Sequence, residues 1–149
     1  MIRTSKYPIA LLLFLICSFT FTNLEAQNDE KTTEMSQIVA TLNDYIQGST
    51  NGQPERLKKA FHPNLNLYYV RNDSIKAWSG QDYIADTKAG QPTGELGKII
   101  TIDYENEIAI AKVQIAHPES KMPYIDYFML AKAQGQWTII HKMFTKRIN

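Results

Sequence analysis

The sequence predicts an α+β domain in which helices come first and a mostly antiparallel sheet follows. Three observations support this prediction. Apolar residues recur at helical spacing between positions 35 and 61, segments rich in β-branched residues follow one another from position 99, and 149 residues suit one domain. Apolar residues make up 44% of the chain, which is enough to build a hydrophobic core.

Two helices are predicted between residues 35 and 61. Apolar residues mark one face of the first helix, and Gly48 is its natural end. Pro54 suits the first turn of the second helix. His62-Pro63 ends that helix because the residue before a proline is disfavoured in the α region. The apolar face of the first helix consists of Met35, Ile38, Val39, Leu42, Tyr45 and Ile46.

Strands are predicted for the rest of the chain, with one short helix between them. Leu65–Val70 is the first strand, and the pair Ser79 and Asp82 resembles an acidic capping box that opens the short helix. Residues 89–94 are expected to form a rim loop. The last third of the chain then contains strands at 99–102, 108–115, 124–131 and 137–144, the final two joined by a hairpin turn at 134–135.

The first 26 residues are predicted to be a secretory signal peptide. Arg3 and Lys6 precede an apolar run at 9–21, which is too short to span a bilayer, and Ala26 is a small residue before the expected cleavage. Cys17 lies inside the apolar run and follows a bulky residue, which argues against lipid attachment. We therefore expect an exported protein, periplasmic or secreted.

After cleavage, residues 27–34 are expected to form a flexible lead-in and residues 35–147 the folded domain. The net charge of +1 is much lower than that of a typical, strongly basic nucleic-acid-binding domain. The sequence contains no second apolar run that could form a membrane segment. The histidines His62, His117 and His141 have no metal-binding spacing, so no metal or other cofactor is expected. His62 is instead expected to interact with the free carbonyls at the end of the second helix.

Aromatic and aliphatic motifs follow one another in a characteristic order near the end of the chain. They are Phe61-His62-Pro63, Ala109-x-Ala111-Lys112-Val113, Tyr124-x-Asp126-Tyr127-Phe128-x-Leu130-x-Lys132 and Gly135-x-Trp137-x-Ile139-x-x-Lys142-x-Phe144. In this order the motifs resemble those of the putative lumazine-binding family of the nuclear transport factor 2-like (SnoaL-like) superfamily. The resemblance covers roughly residues 36–147.

The resemblance implies a curved antiparallel sheet wrapped around helices as a cone with an open mouth. It also implies a homodimer formed through the outer face of the sheet. Relatives on this fold include isomerases, dehydratases, polyketide cyclases and non-catalytic binding domains, so the fold alone does not determine the function.

The predicted pairing of the last two strands indicates a candidate site. With a two-residue turn at 134–135, Phe128 would oppose His141 and Asp126 would oppose Met143. Both faces of the hairpin are then substantially apolar, which favours helices and a cavity on one side and a second copy of the chain on the other. We therefore expect a homodimer.

The same register makes Asp126 and His141 diagonal neighbours on one face. A carboxylate beside an imidazole can orient it for general acid–base catalysis, so these two residues are the candidate catalytic pair. The alternative is structural: Asp126 bonds a neighbour inside the cone, and His141 is a satisfied, half-buried side chain. A one-residue slip in register would place the two residues on opposite faces.

Tyrosine dominates the aromatic residues that follow the signal peptide. Its ring is apolar and its tip is polar, which suits a cavity for a small apolar or aromatic ligand. Packing in the core or at an interface is the alternative for each residue taken alone. The candidate ligand-binding residues are Tyr45, Tyr69, Trp78, Tyr83, Tyr124 and Trp137.

Three functions remain open from the sequence. The leading hypothesis is non-catalytic binding of a small molecule, because no nucleophile elbow or phosphate-binding glycine loop is present. The second is an isomerase or dehydratase that uses Asp126 and His141. The third is a dimeric interaction module without a functional pocket, which an open cone would argue against and a filled cone would favour.

Overall fold

The computed structural model describes residues 31–148, and the predicted signal peptide lies outside this part of the chain. Gln37–Asn149 forms one compact unit, and the contacts reported below lie within it. Of the preceding residues, 31–36 are helical, although the flexible lead-in was expected to extend to residue 34. Across residues 31–148, no helix has the length and hydropathy needed to cross a membrane.

Three helices lie in the described part of the chain: α1 at 31–50, α2 at Pro54–Ala60 and α3 at Gly80–Asp86. The prediction that Gly48 ends α1 is wrong by two residues. A Cβ atom at Gly48 would lie 2.7 Å from Cγ of Leu57, so this glycine allows α2 to approach α1 closely. The capping prediction for α3 is confirmed, since Ser79 Oγ accepts a hydrogen bond from the backbone N–H of Asp82 at 3.0 Å.

Six strands in the described residues form one sheet in the order β2-β1-β6-β5-β4-β3, in which only β1 and β6 pair in parallel. The sheet is the mostly antiparallel one that was predicted. The strand at Ser74–Ser79 was missed because it is an edge strand with few buried side chains. The strands are β1 Phe61–Arg71, β2 Ser74–Ser79, β3 Leu96–Glu105, β4 Ile108–Ala116, β5 Tyr124–Ala133 and β6 Gln136–Lys146.

The first strand begins earlier than expected, and this corrects the prediction for His62. Pro63 requires an extended residue before it, and the chain enters β1 at Phe61, directly after α2. His62 is therefore an exposed strand residue, and its Nδ1 accepts a hydrogen bond from the backbone N–H of Asn64 at 3.2 Å. It does not cap the carbonyls of α2.

The hydrophobic core lies between α1, α2 and the inner face of the sheet. Tyr45 of α1 packs edge-on against Phe128 of β5, with ring centroids 4.8 Å apart. Burial of these side chains supplies the main driving force for folding. The largest fully buried apolar side chains besides these two are Ile38, Leu42, Leu57, Leu65, Leu67, Leu130, Ile139 and Val113.

The β5–β6 hairpin follows the predicted register only for its first few pairs. Gln134 and Gly135 both have positive φ, as a two-residue turn of the type I′ class requires, and Leu130 opposes Ile139 as predicted. Met129 then opposes His141, so Ile140 is the extra residue of a β-bulge. From this bulge onward every side chain of β6 lies on the face opposite to the predicted one.

The predicted rim loop is held against the turn between α1 and α2. The backbone N–H of Thr93 donates to the carbonyl of Thr50, and that of Gly90 donates to the carbonyl of Gly52, both at 2.8 Å. Gly52 has a φ of +62°, and a Cβ atom there would lie 2.4 Å from the carbonyl oxygen of Lys88. Glycine is therefore required where the two loops meet.

Candidate functional site

A cavity of about 240 Å³ opens between α1, α3 and the inner face of the sheet. Its wall is mostly aromatic, and its floor carries ionisable side chains. Four of the six aromatic residues predicted to bind a ligand line it. The lining residues are Tyr45, Ser49, Trp78, Tyr83, Thr93, Glu95, Ile115, Tyr124, Asp126, Lys142 and Phe144.

Three buried polar side chains at the cavity bond one another, and we call them the polar trio: Tyr45, Asp126 and Lys142. Tyr45 Oη donates to Asp126 Oδ2 at 2.5 Å, and Lys142 Nζ donates to Tyr45 Oη at 2.7 Å. Lys142 Nζ also lies 3.3 Å from Asp126 Oδ2. The three residues are 1%, 1% and 4% exposed, so burial of each charge is balanced within the trio.

The β-bulge explains how Lys142 reaches the cavity. Asp126 faces inward from β5, and the extra residue in β6 places Lys142 opposite Phe128 on that same inner face. Sequence reasoning missed Lys142 because strict alternation assigned it to the outer face. Alternation gave no signal of this position, because both faces of β6 carry apolar side chains.

Aromatic rings surround the ammonium group of Lys142. Its Nζ lies 4.8 Å from the ring centroid of Tyr45, 5.0 Å from that of Phe144 and 5.2 Å from that of Tyr83. Each ring presents negative quadrupole density to the cation, which helps to hold a charged lysine away from water.

The phenol of Tyr45 is fixed in its protonated form. Burial raises its pKa well above the usual range, and the negative charge of Asp126 raises it further. Tyr45 therefore acts as a hydrogen-bond donor to Asp126 and as an acceptor from Lys142.

The predicted acid–base pair of Asp126 and His141 does not form. Asp126 faces the cavity, whereas His141 pairs with Met129 on the outer face and stacks on Tyr68 with ring centroids 4.9 Å apart. The β-bulge at Ile140 separates the two residues. The Asp126 carboxylate thus has the ammonium of Lys142 and the phenol of Tyr45 as neighbours instead of the His141 imidazole.

Two of the predicted ligand-binding aromatics do not line the cavity. Tyr69 stacks on Phe144 with centroids 5.0 Å apart and so supports one wall from behind. Trp137 is buried in the core and meets Tyr104 edge-on. Tyr45, Trp78, Tyr83 and Tyr124 are brought together as expected.

The outer face of the sheet carries a continuous stripe of exposed apolar side chains, which we call the outer apolar face: Ile108, Ile110, Tyr127, Met129 and Met143. Each is more than half exposed. Ile110 pairs with Met129, and Tyr127 pairs with Met143, so the stripe crosses three neighbouring strands. Exposed apolar patches of this kind mark interaction surfaces.

A wider cleft of about 560 Å³ lies between α2 and α3. Its polar side chains include Lys58, His62 and Gln81, all of which are exposed. Since the cleft holds no buried ionisable group, we place the site in the smaller cavity with the polar trio. Within residues 31–148, no group of three or more His, Cys, Asp or Glu side chains is placed to hold a metal ion.

Comparison with known proteins places the chain among proteins of this architecture. The model of the putative lumazine-binding family matches residues 33–145. The chain is also similar to aldolase FrzH from a Cladobotryum species, with 25% identity over 114 residues that cover 74% of this chain and 90% of the relative.

Solved structures share the fold at lower sequence identity. A nuclear transport factor 2-like protein of unknown function from Silicibacter pomeroyi has a TM-score of 0.68 and 18% identity, covering 78% of this chain and 98% of its own. A protein described as a putative scytalone dehydratase from Novosphingobium aromaticivorans has a TM-score of 0.56 and 18% identity, covering 81% and 89%. These likenesses show the fold.

Proposed function

Since this chain belongs to the putative lumazine-binding family of nuclear transport factor 2-like proteins, we propose that it binds a small, partly aromatic molecule in the cavity above the polar trio. The observation that carries the proposal is an open aromatic cavity with buried ionisable groups at its floor. Its volume of about 240 Å³ is below the usual range for drug-sized ligands, which favours a ligand of one or two rings.

The open cavity also favours binding over the third hypothesis. An interaction module without a functional pocket has no use for a cavity, and core side chains would fill the space to native density. Here Trp78 and Tyr83 meet edge-on with centroids 5.1 Å apart, and both line a cavity that remains open. Binding of a small molecule accounts for that space.

A fluorescence titration tests the proposal. Trp78 lines the cavity, so a planar two-ring probe such as 2-naphthamide is expected to change tryptophan emission in a saturable way. Substitution Ser49→Phe places a ring into the cavity from α1 and is expected to weaken binding by at least about tenfold.

The matched control is Asn43→Phe, which adds the same ring to an exposed position of α1. It should bind the probe like the wild type. Equal affinity for the probe in Ser49→Phe and wild type, with both folded by circular dichroism, would contradict binding in this cavity.

The polar trio favours acid–base catalysis at a carbonyl compound as a second candidate function. Asp126 and Lys142 both line the cavity and lie 3.3 Å apart. The Asp126 carboxylate would take a proton from the carbon next to a carbonyl, while Lys142 donates a hydrogen bond to the carbonyl oxygen as enolate charge develops. The likeness to a protein named as an aldolase is consistent with such chemistry.

Deuterium exchange tests this second candidate without a known substrate. Wild-type protein in D₂O is expected to accelerate loss of the α-proton signal of 2-tetralone above the buffer rate, as measured by proton NMR. Asp126→Asn, assayed where circular dichroism shows it folded, and Ser49→Phe should both return the rate to that of buffer. No acceleration by the wild type would remove the candidate and leave non-catalytic binding.

We also propose that two copies associate through the outer apolar face. A single exposed apolar residue needs no explanation, but this stripe crosses three strands and includes two methionines. Lys112 lies over the Tyr127 ring at 5.3 Å and adds a polar rim to the stripe. Sedimentation of the wild type and of a charge variant, described in the Discussion, tests this association.

A further inference from the structure

We propose that the cavity selects a neutral hydrogen-bond acceptor, such as an aromatic ketone or amide, over a carboxylate of the same shape. This inference rests on the proposed function and names the chemical class of its ligand. It follows from the charges that line the cavity and from the hydrogen bonds that the polar trio already makes.

The charges of the ionisable residues that line the cavity do not sum to zero. Asp126 and Glu95 are acidic, and Lys142 is the basic residue of the lining. Lys142 is already paired with Asp126 at 3.3 Å, which leaves Glu95 near the rim with its charge facing the same space. Glu95 is positioned through Thr93, whose Oγ1 donates to Glu95 Oε2 at 3.2 Å and whose backbone is anchored to Thr50.

A carboxylate ligand would therefore enter a space with an excess of negative charge. It would lose its hydration shell and meet a cation whose charge Asp126 already balances, so the cost of burying a third carboxylate would not be recovered. Lys146, which lies 4.9 Å from the ring centroid of Tyr124, is exposed and is screened by solvent.

The trio offers a hydrogen-bond donor to a neutral ligand. Tyr45 donates its proton to Asp126, so its hydroxyl has none left for a ligand. The Lys142 ammonium has three N–H groups; it donates to Tyr45 Oη, and its Nζ lies 3.3 Å from Asp126 Oδ2. An N–H group beyond these two contacts can donate to a ligand oxygen.

Two isosteric probes separate the possibilities: 2-naphthamide and 2-naphthoate. They share one ring system and differ in the charge of one substituent. Titration of the wild type by tryptophan fluorescence is expected to show the amide binding at least about fivefold more tightly than the carboxylate. In Glu95→Gln the ratio of amide to carboxylate affinity should shrink, because one negative charge leaves the cavity.

Each result has a distinct meaning. Tighter binding of the carboxylate, still blocked by Ser49→Phe, would overturn the inference and leave the proposed function standing. An unchanged ratio of the two affinities in Glu95→Gln would overturn the role of the rim charge. No saturable binding of either probe would overturn the inference and the proposed function together.

Discussion

Substitution Asp126→Asn is expected to lower the free energy of unfolding by about 3–5 kcal/mol, the usual cost of removing one partner from a buried ion pair. The carboxylate accepts from Tyr45 Oη and balances Lys142 at 3.3 Å, and both partners are almost fully buried. An amide in its place has no charge, so the ammonium of Lys142 would remain in the interior without its counter-charge. Urea denaturation followed by circular dichroism measures the change.

Two further variants show whether the loss comes from the ion pair. In the double variant Asp126→Asn/Lys142→Met the buried charge is gone, and much of the lost stability should return. Asp103→Asn removes an exposed carboxylate from β3 and should change stability by no more than about 0.5 kcal/mol. A loss below about 1 kcal/mol for Asp126→Asn would contradict the polar trio as a structural unit.

Substitution Met129→Glu is expected to weaken self-association by at least about 100-fold. Met129 is 51% exposed and lies between Ile110 and His141 on the outer apolar face, so pairing two copies there would bury two carboxylates against apolar side chains. Sedimentation velocity over a range of concentrations measures the dissociation constant.

The matched control for this substitution is Asn43→Glu, which adds the same charge to an exposed position of α1. Its dissociation constant should equal that of the wild type. A wild type that is monomeric at micromolar concentration, or a Met129→Glu variant that dimerises unchanged, would contradict association through the outer apolar face.

Most of the fold could be predicted from short sequence motifs whose residues are close together in the chain. The capping pair Ser79 and Asp82 and the two-residue turn at 134–135 each specify geometry through neighbours in the chain, and the structure confirms both. Gly48 was misassigned because a glycine that permits close helix packing has the same sequence appearance as one that ends a helix. Contacts distant in sequence decide between the two roles.

The site was predictable only in part because one residue decides which face a strand presents. Asp126 and Tyr45 line the cavity, and their elements follow the regular periodicity that the sequence shows. Because of the bulge at Ile140, His141 lies on the outer face of the sheet and Lys142 on the inner face, the reverse of the prediction. Alternation of apolar residues could not reveal this exchange, because both faces of β6 carry apolar side chains.

The aromatic residues illustrate a second limit of sequence patterns. An inward-facing aromatic residue on a strand can border a cavity or fill the core, and its sequence environment is the same in both cases. Tyr124 borders the cavity, whereas Trp137, also inward-facing, is buried against Tyr104. The position of α1 and α3 over the sheet determines whether an inward-facing aromatic residue borders the cavity or fills the core.

A crystal structure of the protein grown with 2-naphthamide tests the central claim most directly. We expect the rings inside the cavity in contact with Trp78 and Tyr83, with the amide oxygen within hydrogen-bonding distance of Lys142 Nζ. A cavity filled by its own side chains, or a probe bound only outside it, would contradict the account.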